Sequence, residues 1–151
     1  MNLPQLLLLN FLLATYLTGV IWTVQLAHYP CFAQANQETF PAFHQQHSRR
    51  ISWVVMAPMV LELLLALALA WQGHDLGAAR WWQLVLVVLA WVATFFISVP
   101  FHNRLAQGYD YVAIDGLVRT NWPRTLAWTV RAGVLGWLLW KMLHFAADKV
   151  G

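Results

Sequence analysis

Apolar positions dominate the chain in four long runs that are separated by more polar connections. The runs cover approximately residues 3–27, 51–71, 81–101 and 122–144. Each is close to the length of about 20 residues that an α-helix needs to cross a hydrocarbon core. Because backbone polar groups in lipid must be satisfied internally, runs of this length predict helices. The pattern therefore predicts an all-α fold, a four-transmembrane-helix bundle in a single integral membrane domain.

Two of the connections, residues 28–50 and 102–121, carry helix signals of their own. Pro41 is typical of a first helical turn and predicts a helix that continues into the second run. In the second connection, Asp110 is typical of an N-cap and predicts a short separate helix. With four crossings, both connections lie on one side of the membrane, so the bundle has interfacial helical extensions there. Pro30, by contrast, predicts the end of the first helix.

The composition agrees with a membrane protein and excludes some function classes. The chain is 60% hydrophobic and 10% charged, with a mean hydropathy of +0.55, whereas soluble domains are about 25% charged. The formal net charge of +3 is spread over nine Lys and Arg residues and forms no basic tract typical of nucleic-acid binding. Ten tryptophans lie mostly near the ends of the runs, as in interfacial aromatic belts. The single cysteine excludes an intrachain disulfide.

The location of the chain follows from its first run and its charges. The first run is too long for a signal peptide and no Lys or Arg precedes it, which predicts a retained helix. The positive-inside rule compares the basic residues on the two sides. The side with the long connections carries Arg49, Arg50, Arg104, Arg119 and Arg124, and the other carries Arg80, Lys141 and Lys149. This asymmetry predicts that the first of these sides faces the cytoplasm.

Each run has a polar face, because residues three, four and seven positions apart share one side of a helix. Glu62 and Arg131 lie on these faces at similar depths from the same membrane side. An unpaired charge there costs at least about 2.5–3.5 kcal/mol, so we predict a buried contact between them. The pair either fixes the register of the helices or forms the catalytic floor of a site for substrate or protons.

Histidines gather at the membrane side that carries the long connections. The four are His28, His44, His47 and His102, and three different helices contribute them. Imidazole is a common ligand of Zn, Cu and Fe, so they are candidate ligands of a transition metal. A haem with two axial histidines is a less favoured alternative. Interfacial histidines that only tolerate the headgroup region are the other interpretation.

A pocket is expected between the histidines and the Glu62–Arg131 pair. Tryptophans and amides on the polar faces suit a lipophilic small molecule, such as a quinone or an aromatic polyketide. The candidate substrate-binding residues are Trp22, Gln25, Trp91, Asn103, Asn121, Arg124 and Trp128.

Several segments also carry a resemblance. The chain resembles small four-span bacterial membrane proteins of unknown function in VQLAHYPCF, FHQQHSRRIS, APMVLELLLAL and VPFHNRLAQGYD. More distantly, Pro100 with Asn103 and Arg104, and Asn121 with Trp122 and Arg124, are similar to the DUF1772, or anthrone oxygenase-like, family. The resemblance implies a bacterial inner-membrane protein and, through that family, oxygenation of aromatic compounds.

The leading functional hypothesis is a metal-dependent membrane oxidoreductase or oxygenase that acts on a lipophilic small molecule. A small non-enzymatic transporter and an assembly subunit of a larger membrane complex are the alternatives. The lipid bilayer is the expected environment, and the oligomeric state stays open.

Overall fold

The computed structural model describes residues 1–147, and this part of the chain contains helices and no β-strand. Lys149, which was counted in the charge asymmetry, lies outside the described residues. Five helices are labelled here in chain order: α1 Leu3–Gln34, α2 Phe40–Gln72, α3 Ala79–Leu105, α4 Tyr111–Thr120 and α5 Trp122–Ala147. The prediction of an all-α fold is confirmed for this part of the chain.

Helices α1, α2 and α3 are long and apolar enough to cross a membrane. The protein is therefore an integral membrane protein. The first three predicted runs are parts of longer helices, because α1 has 32 residues, α2 has 33 and α3 has 27. The prediction that the segment around Pro41 continues into the second run is confirmed. Helix α5 has 26 residues, but Arg124, Arg131 and Lys141 interrupt its apolar sequence.

The four long helices pack side by side. Helix α1 lies against α2 and α5, and α3 lies against the same two helices. Helix α4 lies across the last turns of α3, and Gly116 permits this approach. A Cβ atom on Gly116 would lie 2.5 Å from Cε1 of Phe101, so a side chain there would displace the Phe101 ring from its present position.

Prolines near the ends of α1 and α3 do not stop these helices. In each, a π-helical turn, Val24–His28 in α1 and Thr94–Ser98 in α3, comes directly before an X-Pro pair. The wider turn changes the hydrogen-bond register, and the proline then lies in the first turn of the α-helical segment that follows. A proline needs no N–H partner in that position. The prediction that Pro30 ends α1 is therefore wrong, and the helix continues to Gln34.

Asp110 begins helix α4 as the sequence predicts. Its side chain accepts a hydrogen bond of 3.0 Å from the backbone N–H of Ala113, and it also pairs with Arg104. The Ala113 N–H, followed by the Arg104 side chain, holds the pKa of Asp110 below its usual value. This cap fixes α4 at the end of the molecule where the histidines lie.

Candidate functional site

The predicted contact between Glu62 and Arg131 is confirmed. Nη1 of Arg131 lies 2.8 Å from Oε1 of Glu62, and neither side chain is exposed. The other carboxylate oxygen accepts a hydrogen bond of 3.0 Å from Nε1 of Trp128. Helices α2 and α5 are therefore joined by a buried charge pair with an additional donor.

Two amides complete this cluster from the remaining long helices. Nη2 of Arg131 donates to Oδ1 of Asn10 at 2.7 Å and to Oε1 of Gln83 at 3.1 Å. The NH2 group of Asn10 donates to the backbone oxygen of Leu65 on α2, and that of Gln83 to the backbone oxygen of Ala66. We call Glu62, Arg131, Asn10, Gln83 and Trp128 the ion-pair cluster. It links all four long helices through buried side chains.

A cavity of about 140 Å³ lies between the long helices, toward the histidine-rich end from Trp128. Its walls are mainly apolar. The lining residues include Leu17, Val20, Ile21 and Val24 of α1, Ile51, Val55 and Met56 of α2, Val99 of α3 and Trp128 of α5. Ser52 of α2 lines the cavity too. Because the side chains of Ser52 and Met56 are exposed, the cavity reaches the molecular surface beside α2.

Apart from Ser52 and Ser98, the polar side chains that line the cavity form one hydrogen-bonded group. Tyr29, His102 and Arg124 belong to this group, and Arg124 is only 5% exposed. Nη2 of Arg124 donates to the hydroxyl of Tyr29 at 3.2 Å, and this hydroxyl lies 3.1 Å from Nε2 of His102. Nη1 of Arg124 donates to Oγ1 of Thr94 at 3.3 Å. The cavity thus combines apolar walls with one convergent polar group, an arrangement typical of small-molecule sites.

An amide pair supports Arg124 from behind. Oδ1 of Asn121 accepts a hydrogen bond from Arg124, and Nδ2 of Asn121 donates to Oε1 of Gln25 at 2.9 Å. Gln25 in turn donates to the backbone oxygen of Val118 at 3.0 Å. Both amides are buried. They position the guanidinium and do not line the cavity.

The four histidines converge as the sequence predicts. Nε2 of His44 lies 3.1 Å from Nδ1 of His102, and Nε2 of His28 lies 2.7 Å from Nδ1 of His47. The ring centroids of His47 and His102 are 6.4 Å apart. In each hydrogen-bonded pair, at least one ring must be neutral so that a nitrogen can accept. The cluster therefore presents neutral imidazole, which is also the form that binds a metal.

The histidines provide nitrogen atoms that could bind a metal, but the side chains are not arranged around a common point. Within residues 1–147, no group of three or more His, Cys, Asp or Glu side chains is arranged to hold a metal ion. However, Nδ1 of His44 and Nε2 of His47 are buried and have no hydrogen-bond partner among the described residues. Ligand nitrogens of a tetrahedral zinc ion are about 3.3 Å apart for Zn–N bonds of about 2.0–2.1 Å. The nitrogens within each pair are close to that separation, but the ring centroid of His47 lies 6.5 Å from that of His44 and 6.4 Å from that of His102. The residue types suit a metal, and the two pairs would have to move toward each other before one ion could bind all four.

The remaining predicted residues lie elsewhere. Trp22 donates to Oγ1 of Thr129 at 3.0 Å, and Trp91 stacks on Phe95. Neither lines the cavity, so among the three tryptophans expected at its edge only Trp128 does. Asn103 is exposed and lies outside the lining.

Sequence reasoning missed three residues that the structure brings into these clusters. Asn10 and Gln83 belong to the ion-pair cluster, and Tyr29 to the hydrogen-bonded polar group at the cavity. The signal for the first two was available, because each is an isolated amide within an apolar run, where polar groups are expensive. Tyr29 follows Gln25 by one helical turn, and this places it on the same face.

Searches with protein-family models, curated proteins and solved structures produced no match to this chain.

Proposed function

We propose that the protein is a membrane-embedded oxidoreductase that acts on a small lipophilic molecule bound in the cavity, beside a transition metal held by the histidines. The observation that carries this proposal is the cavity itself. Its apolar walls end at Arg124, Tyr29 and His102, and His102 also belongs to the histidine cluster. A bound molecule would therefore contact a member of the candidate metal centre.

In this proposal, helix α5 crosses the membrane as the fourth span of a bundle. Its two buried arginines face the other helices, which removes their charges from lipid. Apart from Lys141 and His144 near its end, its exposed large side chains are apolar, namely Trp122, Leu126, Val130, Trp137, Trp140 and Leu143. An inward polar face with an apolar outward face supports a crossing helix. The basic residues near the histidines support a cytoplasmic orientation of that end in a bacterial inner membrane.

His28, His44, His47 and His102 would hold the metal. Copper or iron there would supply one-electron redox chemistry, and zinc would act as a Lewis acid. The Tyr29 hydroxyl contacts His102 and orients its ring, as outer hydrogen-bond partners commonly do for metal-binding histidines. Among the described residues, this contact also links the metal ligands to Arg124.

The chain's other residues have separate roles in this proposal. Arg124 and Tyr29 bind the polar end of the molecule, and the α1 and α2 side chains exclude water from its apolar part. Trp128 forms the opposite wall, and its bond to Glu62 fixes the orientation of the indole ring. Glu62 and Arg131 do not line the cavity, so they act through Trp128.

The ion-pair cluster favours a site with one access over a transport pathway. Beyond Trp128, Asn10, Glu62, Gln83 and Arg131 are all fully buried and bonded to one another or to backbone. An ion or solute would have to break this network in order to continue. The geometry therefore supports binding and chemistry at one face more than transport.

Metal content of the purified protein tests the proposal. We expect the wild-type protein, loaded with Cu, Fe or Zn and then desalted, to retain about one equivalent, which corresponds to a filled site. The variant His44→Ala/His47→Ala should retain none, because it removes two donors of the cluster. The matched control His74→Ala/His144→Ala removes two exposed histidines at the other end and should bind as the wild type does. A wild-type protein that retains none of these metals contradicts the proposal, and a Soret band would indicate haem instead.

A further inference from the structure

Arg124 is a buried cation whose hydrogen-bond partners are all neutral. Its side chain donates to Thr94, Tyr29 and Asn121, and Nε is buried without a hydrogen-bond partner among the described residues. The side chain is 5% exposed and lines the cavity. The guanidinium of Arg124 is therefore a buried group at the cavity with no acidic partner among these contacts.

No carboxylate of the described residues neutralises this charge. Glu62 pairs with Arg131, and Asp110 and Asp115 pair with Arg104 and Arg119. The remaining acids within residues 1–147, Glu38 and Asp75, are exposed on connections and form no ion pair with Arg124. Buried charges are normally paired, because removing an ion from water costs several kcal/mol. The site is therefore electrostatically complete only when an anion is present.

The space beside Arg124 limits the size of that anion. A cavity of about 150 Å³ with apolar walls accepts a molecule of the size of benzene, and this cavity measures about 140 Å³. A volume of this size fits one ring or a short acyl segment, and fused rings would extend beyond it. A longer chain would leave the cavity past Ser52 and Met56, where it reaches the surface.

We infer that the cavity binds an organic oxyanion, a carboxylate or phenolate on a compact apolar body, and that Arg124 holds its charged group. This inference rests on the proposed function and specifies its substrate class. The Tyr29 hydroxyl can donate to the same group, since it already lies between Arg124 and His102. The apolar body lies against Leu17, Ile21, Val55 and Trp128.

Binding to the purified protein in nanodiscs of neutral lipid tests this inference. Benzoate and dodecanoate are the anionic probes, and benzamide and dodecanol are their neutral counterparts. We expect at least one anion to bind about tenfold or more tightly than its neutral counterpart, as a charge-assisted hydrogen bond in a dry site allows. If benzoate binds more tightly than dodecanoate, the ligand class is a soluble aromatic acid. If dodecanoate binds more tightly than benzoate, it is an acid derived from lipid.

Three variants locate the binding. Arg124→Gln should remove the preference for the anion, because the amide keeps hydrogen bonds but carries no charge. Arg119→Gln removes the same charge from an exposed position of α4 and should leave the preference unchanged. Ser52→Trp places a large ring at the cavity mouth without touching Arg124, and should weaken binding of all probes.

The outcomes separate this inference from the proposal on which it rests. If neutral probes bind as tightly as anions and Ser52→Trp weakens both, the cavity is a ligand site and the inference is wrong. An anion preference that survives in Arg124→Gln also overturns it. If no probe binds, both the inference and the proposed binding site are wrong. Chloride or phosphate that displaces the anionic probe at low concentration would show an inorganic anion site and would overturn the organic assignment.

Discussion

Two buried arginines on the same face of α5 have opposite surroundings. Arg124 and Arg131 are seven positions apart, which is two helical turns, and they are 5% and 0% exposed. Arg131 has Glu62 at 2.8 Å and two amide oxygens as acceptors. Arg124 has only hydroxyl and amide oxygens, and an apolar cavity lies beside it.

The difference indicates that the charge of Arg131 stabilises the fold, whereas the charge of Arg124 is available to a ligand. The charge of Arg131 is neutralised by Glu62, although its Nε, like that of Arg124, is buried without a hydrogen-bond partner among the described residues. The guanidinium of Arg124 stays uncompensated, and proteins commonly accept such a cost where a ligand completes the site. The comparison predicts that substitutions in the ion-pair cluster affect stability, whereas substitution of Arg124 affects binding.

The largest expected effect comes from the ion-pair cluster. Glu62→Ala leaves Arg131 as an unpaired buried charge and removes the acceptor of Trp128, so we expect a loss of about 3–5 kcal/mol of stability. Reversible unfolding in mixed detergent micelles measures it. Because the charge that remains causes most of this loss, the double variant Glu62→Leu/Arg131→Met should recover a large part of it.

The exposed pair Asp115–Arg119 is the matched control for this experiment. Its atoms approach to 2.8 Å, as they do in the buried pair, but its side chains are 42% and 78% exposed. Such pairs contribute about 0–1 kcal/mol, so Asp115→Ala should change stability little. If Glu62→Ala and Asp115→Ala have similar effects, the ion-pair cluster is not the structural centre described here.

An intermediate effect on stability is expected at Trp128, which belongs to the ion-pair cluster and also lines the cavity. Its Nε1 donates to Glu62, and its ring forms a wall of the cavity. Trp128→Phe removes a hydrogen bond to a charged acceptor, and bonds of this kind contribute about 1.5–3 kcal/mol. Unfolding in mixed micelles measures the change, and Trp137→Phe at an exposed position is the control. Equal stability of these two variants would contradict the assigned role of Trp128.

Sequence patterns predicted the helices and the Glu62–Arg131 contact because both depend on strong local rules. Apolar runs of membrane length have few alternatives to helices, and two charges at similar depth in lipid must meet. The spacing of residues along the helices also predicted correctly that the four histidines lie close together. These inferences need only spacing along a helix and the cost of an unsatisfied charge.

The cavity and its lining could not be predicted in the same way. Whether Trp22, Trp91 or Trp128 faces a void depends on how far neighbouring helices separate, which spacing along one helix does not determine. The π-helical turns before Pro30 and Pro100 also rotate the later residues of α1 and α3. This rotation changes which side chains share a face, and it allows α1 to continue beyond the proline at which the sequence predicted its end.

An effect on stability smaller than that at Trp128 is expected at Arg124, despite its burial. Arg124→Gln removes three hydrogen bonds but also removes a buried charge that no carboxylate of the described residues neutralises. These contributions oppose each other, so we expect the unfolding free energy to stay within about 1 kcal/mol of wild type in the absence of ligand. The same substitution at Arg131 leaves Glu62 unpaired and should cost several times more in the same micelles. A loss at Arg124 as large as that at Arg131 would show that its charge is satisfied within the fold, and the distinction between the two arginines would then fail.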